Sequence, residues 1–501
     1  MRMMGTGKQY GQRAILLFIG AFFVALTLHA TLSRVNLDGF GDMAENYAWG
    51  VLWQWGYFKH PPFFGWLVAG WFSIFPKTDV FYFIFSALNA AVTLLFMWRI
   101  AARFGSKNYQ LFVVLAAVVV PALSFQTIKY NANTAMTPIW AAIFLFYLRG
   151  LERQRLIDAV VLGLLATAAM MTKYYSAVLL VTLLIHAIVD AEARKILMSK
   201  FGAVAAAVSI LAFLPHFIWL VHNDFSPIIY ADEQGEGGIK TFILALFKFL
   251  LGVVGYMLPA LGLAGLTRRP GDGYPLFWLA SLTELRQTVE GRALLYFGGL
   301  TIPVTIIFAA LAGADLSVVW AIPVFLSLVI LLGKLVPPQA LELRLSSALL
   351  MALAYLVVIV AIAPLLKGQL TDRGGYSKTM PLQQMSAVLD EYWDKYAAGS
   401  DNFVIGGEPL LANSYNFYSH HKAITLEDNS FEVSKGYLDR QAFDKRGFVL
   451  ICQQDDRSCL EMVNRLRGSR SDTFVVDFNL PDFRGAKTWQ FRAVLASPQK
   501  S

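Results

Sequence analysis

Runs of about 18 or more apolar residues recur along most of this chain, each long enough to cross a hydrocarbon core of roughly 30 Å. A segment in hydrocarbon must satisfy its backbone hydrogen bonds internally, so such runs fold as helices. Candidate spans fall at 14–33, 79–98, 110–127, 134–148, 157–171, 176–189, 202–221, 241–265, 293–312, 318–333 and 346–366. Of the 501 residues 56% are hydrophobic and only 15% are charged, against roughly 25% charged in a soluble domain. The expected fold class is a polytopic α-helical membrane protein with about eleven transmembrane helices.

The charges between the runs give an orientation. With the N-terminus inside, the inner loops hold eighteen Lys and Arg residues and the outer loops before the tail hold six. That is a positive-inside bias. It explains the net charge of +8 without a nucleic-acid partner, since no basic helix or aromatic-basic patch is present. Arg2, Lys8 and Arg13 precede an apolar stretch from Ala14 to Leu32. That stretch is too long for a signal-peptide core, so it reads as a retained first span.

An odd number of spans puts the tail outside. Residues 1–366 then form the transmembrane region, with a first outer loop at 34–78, and 367–501 form a small extracytoplasmic α/β domain. The tail has β-like runs at Phe403–Gly407, Phe448–Cys452, Phe474–Phe478 and Phe491–Ala496, with helical patterns at Pro381–Tyr396 and Ser458–Leu466. Its two cysteines, Cys452 and Cys459, could close a short loop as a disulfide or stay free. The acidic, Gly-rich stretch 232–238 reads as a lid or a solvated loop. It lacks the alternating ligands of a calcium site.

The chemistry concentrates in the first outer loop. Asp42, Glu45, Asn46 and Trp49 share one face if their segment is helical. Trp53, Trp55 and Tyr57 follow, then Lys59-His60-Pro61-Pro62. An acid at the water–lipid boundary can take a proton from an acceptor hydroxyl as it attacks a sugar carbon. A nearby Lys and His can neutralise a phosphate on the leaving side. The rival role for Asp42 is to cap an interfacial helix.

This pattern of Asp42, Tyr47, an aromatic stretch and a Lys/His-Pro-Pro turn resembles the GT-C glycosyltransferases. Among them are protein O-mannosyltransferases, the aminoarabinose transferase of lipid A and rhizobial-type lipopolysaccharide galacturonosyltransferases. Asn131-Ala-Asn133-Thr134 through Pro138 and Trp140, and Met171-Thr172-Lys173-Tyr174, are similar to later family motifs in the same order. So are Pro215-His216 through Asp224 and, in the tail, Val404–Gly407 and Asn416–Ser419. Three departures stand out. Met43 lies where many members have a second acid, Asn133 where many have Asp, and the usual Lys-Pro-Pro is here His60-Pro61-Pro62, with Lys59 one position earlier.

The resemblance implies one-step, inverting transfer from a polyprenyl-phosphate sugar to a glycolipid, such as lipid A or lipopolysaccharide, or to a protein. Asp42 would be the general base, with Glu45 a further acid. Tyr47, Lys59, His60, Pro61, Asn133, Lys173 and Tyr174 would bind substrate, the cations holding the donor phosphate. No cofactor is required, and the sequence rules a divalent metal neither in nor out. Membrane lipid is the remaining partner. The implied location is a bacterial inner membrane, with the N-terminus cytoplasmic and the tail periplasmic. Lys173 has a rival role as a snorkelling span-end lysine. His216 and His222, six apart, do not share a helix face well, so a metal there is not expected. The alternatives to transfer are a lipid or sugar transporter or flippase, and a non-catalytic subunit that binds lipid-linked sugar. The absence of an internal repeat speaks against the transporter.

Overall fold

The computed structural model describes residues 10–233, 238–267, 274–311, 313, 316–372, 377–397, 400–468 and 470–499. Within the acidic stretch 232–238, residues 234–237 lie outside the described residues, as do Arg268 and Arg269 of the inner-loop count. The chain divides into two compact units. One comprises 1–30, 59–61 and 84–362; the other comprises 31–58, 62–83 and 363–501.

The first unit is helical. Each of the eleven expected segments overlaps a helix, but the helices differ in length and continuity. Among the described residues seven helices are long and apolar enough to cross a membrane: Gln12–Ser33, Asp79–Ala101, Ala132–Arg153, Lys200–His222, Ile239–Leu266, Val289–Leu311 and Pro338–Gly368. Two bent pairs raise the number to nine, Lys107–Val119 with Pro121–Ile128 at 90° and Tyr174–Val189 with Ala191–Leu197 at 114°. Leu156–Met170 and Val324–Lys334 are apolar but have only 15 and 11 residues.

The bends have chemical causes. Pro121 fixes its φ and lacks an N–H, so the helix ends in an extended Val120. Asp190 is extended and its carboxylate accepts from the amides of Glu192 and Ala193, which stops one helix and caps the next. Ala132–Arg153 is buried over most of its length, whereas Lys200–His222 exposes Ile210, Leu211, Leu214, Phe217 and Val221. That exposed apolar face suits a lipid solvent.

The second unit is an α/β body. Its sheet contains β1 (Phe403–Gly407), β2 (Ala423–Thr425), β3 (Phe448–Gln453), β4 (Thr473–Pro481) and β5 (Thr488–Ala496), in the order β2-β1-β3-β5-β4. β1 is parallel to β2 and β3, while β5 is antiparallel to β3 and β4. Alternate side chains serve opposite faces. Phe403, Ile405, Val449 and Ile451 pack with Met385, Leu389 and Trp393 of the helix Leu382–Ala397. Val404, Phe448 and Leu450 pack on the other face with Phe443, Val463 and Leu466. The result is a layered α/β/α arrangement. Cys452 and Cys459 are joined as a disulfide, with Cα atoms 5.8 Å apart.

The sequence assigned the first outer loop to the transmembrane region. The structure places most of it in the second unit, against the tail. Two short helices, Asp42–Gly50 and Phe63–Phe72, cross so closely that a Cβ on Gly50 would stand 2.1 Å from the Gly65 carbonyl oxygen. The Trp49 indole N–H donates to the buried Glu427 carboxylate at 2.7 Å. The Tyr418 hydroxyl donates to Asp79 at 2.7 Å, and Asn36 donates to the Met380 carbonyl at 2.9 Å. These contacts join segments between 339 and 378 residues apart in sequence, which is why no local pattern announced them.

The Gly50–Gly65 crossing gives a controlled test. Gly50→Ala should destabilise the second unit by about 1–3 kcal/mol through overpacking. Gly70→Ala, whose Cβ would meet nothing within 4 Å, should be neutral or stabilising by about 0.5–1 kcal/mol. Thermal unfolding of the two variants side by side checks this; equal midpoints would remove the close crossing from the account.

Candidate active site

The first unit brings together four of the expected site residues. Lys173 is extended at the break after Leu156–Met170 and precedes a single 3₁₀ turn, Tyr174–Ser176. Its ammonium donates to Asn133 Oδ1 at 2.6 Å and lies 5.3 Å from the Trp320 ring centroid. A snorkelling lysine would carry its charge out to water, whereas this one is held by an amide oxygen and an aromatic face.

Asn133 sits where the motif puts it for a reason. Asn131 is the N-cap of Ala132–Arg153, and its side chain accepts from the amides of Asn133 and Thr134. The Thr134 hydroxyl closes the capping box. Pro138, inside this helix, has no N–H for the Thr134 carbonyl. The Asn89 side chain donates to that carbonyl instead, at 2.9 Å. In Asn-Ala-Asn-Thr the first Asn and the Thr therefore build the helix start, and Asn133 is left to face Lys173.

Lys59, His60 and Pro61 belong to the same unit. His60 is half-buried and Pro61 buried. Burial, then the positive charges of Lys173 and Lys59, push the His60 imidazole down to about 3. The imidazole is therefore neutral at physiological pH and can donate an N–H. Two ammoniums near a neutral imidazole make a pocket of positive potential that attracts anions. Tyr174 does not join this group: its hydroxyl pairs with the buried His216 Nε2 at 2.9 Å.

Asp42, Glu45 and Tyr47 belong to the second unit. Asp42 opens the helix Asp42–Gly50 after Gly41, whose φ of 86° is left-handed. The capping role weighed for Asp42 falls to Asp38. Asp38 accepts from the amides of Phe40 and Gly41, both at 2.9 Å, and of Met43 at 2.8 Å. Asp42 and Glu45 are half-buried, one turn apart. Tyr47 is buried, with its ring edge-on to Phe72 and Phe417 at 5.8 and 5.3 Å, so it works as core. Sequence reasoning missed Trp320 and Asp38. Asp38 was findable, since an acid just before a helix start is a capping signal; Trp320 lies too far along the chain for any spacing to reveal it.

The chain is similar in sequence and in fold to known proteins. Residues 59–219, which include Lys59, His60, Asn133 and Lys173, match the family model of dolichyl-phosphate-mannose-protein mannosyltransferase. The crystal structure of ArnT from Cupriavidus metallidurans bound to undecaprenyl phosphate superposes with a TM-score of 0.62, covering 98% of this chain and 100% of that one at 15% identity. The chain has the GT-C fold. Two curated relatives from Rhizobium johnstonii align with this GT-C chain in part. Lipopolysaccharide core galacturonosyltransferase RgtB is 26% identical over 226 residues, and RgtA is 25% identical over 224. Each match covers 43% of this chain and 44% of the relative, so less than half the length of the curated relatives is matched.

The depressed His60 titration makes a prediction with a definite sign. From pH 6.5 downward the unfolded chain takes up a proton that folded His60 refuses until about pH 3. His60 therefore withdraws stability as pH falls through that window. In histidine-labelled protein in nanodiscs, NMR should show His60 neutral at pH 5, with its midpoint moving upward in Lys173→Met. A His60 that titrates near 6.5 in the wild type would contradict the cluster.

Proposed function

We propose that this chain is a membrane glycosyltransferase. It moves a sugar from a polyprenyl-phosphate donor to a lipopolysaccharide-type acceptor on the periplasmic face of a bacterial inner membrane. The observation that carries the reading is the basic cluster of Lys59, His60 and Lys173, with Asn133 aiming Lys173, inside the matched portion of a GT-C fold. A lipid monophosphate is the anion such a cluster suits: two point charges for its oxygens and a neutral imidazole as a further donor.

In the proposed step Asp42 takes the proton from the acceptor hydroxyl. That oxygen attacks the anomeric carbon from the face opposite the phosphate. The anomeric C–O bond breaks, and its electron pair leaves on the polyprenyl phosphate, whose charge the cations stabilise. Configuration inverts once. Two features support Asp42: Asp38 relieves it of capping, and it stays half-buried. Glu45, one turn on, is the nearest candidate for a second acid where Met43 breaks the family pattern. The names of the Rhizobium relatives support a uronic acid as the sugar and the lipopolysaccharide core as the acceptor.

The test supplies purified protein with polyprenyl-phosphate galacturonic acid and extracted lipopolysaccharide. Asp42→Asn should lower transfer by about 10²–10⁴-fold, and Lys173→Met by about 10²-fold, while both insert and fold. Transfer at the wild-type rate by Asp42→Asn removes the base assignment. Counterflow of lipid-linked sugar in proteoliposomes without transfer would replace the enzyme by a transporter. Mass spectrometry of envelope glycolipids from a deletion strain should show the loss of a uronic acid mass, and loss of a different mass corrects the sugar.

A further inference from the structure

The second unit contains a cluster of ligating side chains that the proposed transfer does not use. We propose that Asp390, His420 and His421 bind one divalent transition-metal ion, with zinc the best match, and that the ion fastens the helix Leu382–Ala397 to the turn after the helix Pro409–Tyr418. Each of the three residues offers a ligand atom, and these atoms lie within 4.8 Å of one another. Two imidazoles and a carboxylate are a zinc donor set.

The geometry of the group goes beyond proximity. His420 Nδ1 is 2.8 Å from Asp390 Oδ2. Asp394 follows Asp390 by one turn on the same helix face and lies 3.0 Å from His421 Nε2 and 3.7 Å from His420 Nε2. It stands beside the two histidines, outside the three-residue group whose ligand atoms lie within 4.8 Å of one another. Asp390 and His421 are only 6% and 7% exposed, while His420 stands at the surface. The site thus has a buried floor and an open mouth.

The next layer of residues holds these ligands in register. The Ser419 hydroxyl donates to Asp390 Oδ1 at 2.6 Å, which leaves Oδ2 facing the histidines. His421 Nδ1 faces Asp401 Oδ1 at 3.4 Å, and that carboxylate also accepts from the Lys422 amide at 3.2 Å. A carboxylate on the far nitrogen of an imidazole sets the tautomer that turns the other lone pair to a metal. Two cations lie nearby. Lys422 is one; Lys77 is within Coulomb reach of Asp390, but its ammonium donates to the Ser419 carbonyl at 2.7 Å.

The carboxylates surround the imidazoles on more than one side: His421 lies between Asp394 and Asp401, and His420 Nδ1 faces Asp390. The two rings stand close together, with centroids 4.1 Å apart. A divalent ion takes one lone pair from each ring and leaves the far nitrogen to hydrogen-bond a carboxylate.

The experiment uses full-length protein in nanodiscs without a polyhistidine tag, equilibrated with zinc and freed of unbound ion. Elemental mass spectrometry should find about one zinc per chain, and less than a tenth of that in a His420→Ala/His421→Ala double variant. Chelation should lower the unfolding midpoint of the wild type, zinc should restore it, and the double variant should respond to neither. Asp401→Asn should weaken zinc binding about 10–100-fold. His420 is exposed, so His420→Ala folds even if the double variant does not, and its zinc affinity and cobalt(II) visible spectrum then decide the matter. Asp42→Asn should hold zinc as the wild type does, which separates this site from the transfer chemistry. Zinc content equal in the wild type and either histidine variant overturns the proposal, as does a wild type that holds none.

Discussion

In a hydrocarbon solvent every backbone N–H and C=O needs a partner within the protein, and this constraint fixes where the first unit can carry chemistry. Unbroken helices meet it by themselves and present only side chains. Polar function needs a break, and a break is tolerable only where side chains take over the lost hydrogen bonds. The carbonyl that Pro138 leaves unserved is met by Asn89, and the start of the same helix is closed by Asn131 and Thr134. The interruption after Met170 turns the chain extended at Lys173. Asn133 and Lys173, the pair that faces the proposed phosphate, stand at two such repaired breaks.

The electrostatics follow from that placement. A lysine drawn in from water loses hydration, and here it gains an amide oxygen and the face of Trp320. Burial first, and then the charges of Lys173 and Lys59, keep His60 neutral. A third positive charge there would meet repulsion from two others before any anion arrived. A neutral imidazole avoids that and keeps a donor. The substitution of His60 for the usual Lys in Lys-Pro-Pro, with Lys59 one place earlier, is thus compatible with an anion site: the charge has moved along the chain by one residue and a neutral donor has replaced it.

The sequence revealed the membrane class, the helix positions and most tail strands, because each rests on a local signal: apolar run length, charge asymmetry or alternation. The number of full spans was less legible. A 15-residue apolar helix and a bent pair look like spans until the proline or capping acid within them is read as a break. The site was legible where it is made of motif residues. Two of the motif residues singled out in the sequence, Asn133 and Lys173, meet in the structure, and Asp42 opens its helix. Tyr47 and Tyr174 went the other way, into an aromatic core and onto His216, since nothing in a tyrosine's neighbours along the chain tells which face it will take. The joining of the first outer loop to the tail was invisible for a similar reason: its hydrogen bonds connect residues at opposite ends of the sequence.

That joining bears on how Asp42 can work. A catalytic acid on a free loop would be held only by a few local hydrogen bonds, and loops sample many conformations. Here the helix that begins with Asp42 is fixed at its start by Asp38, crossed at Gly50 by Phe63–Phe72, and tied at Trp49 to Glu427 of the tail. The α/β body would, on the proposed function, be the rigid support that a proton-transfer group needs. On the proposed function, changes deep in the tail should act on turnover through the placement of Asp42, because the tail and the loop are one folded unit rather than a scaffold with an appendage.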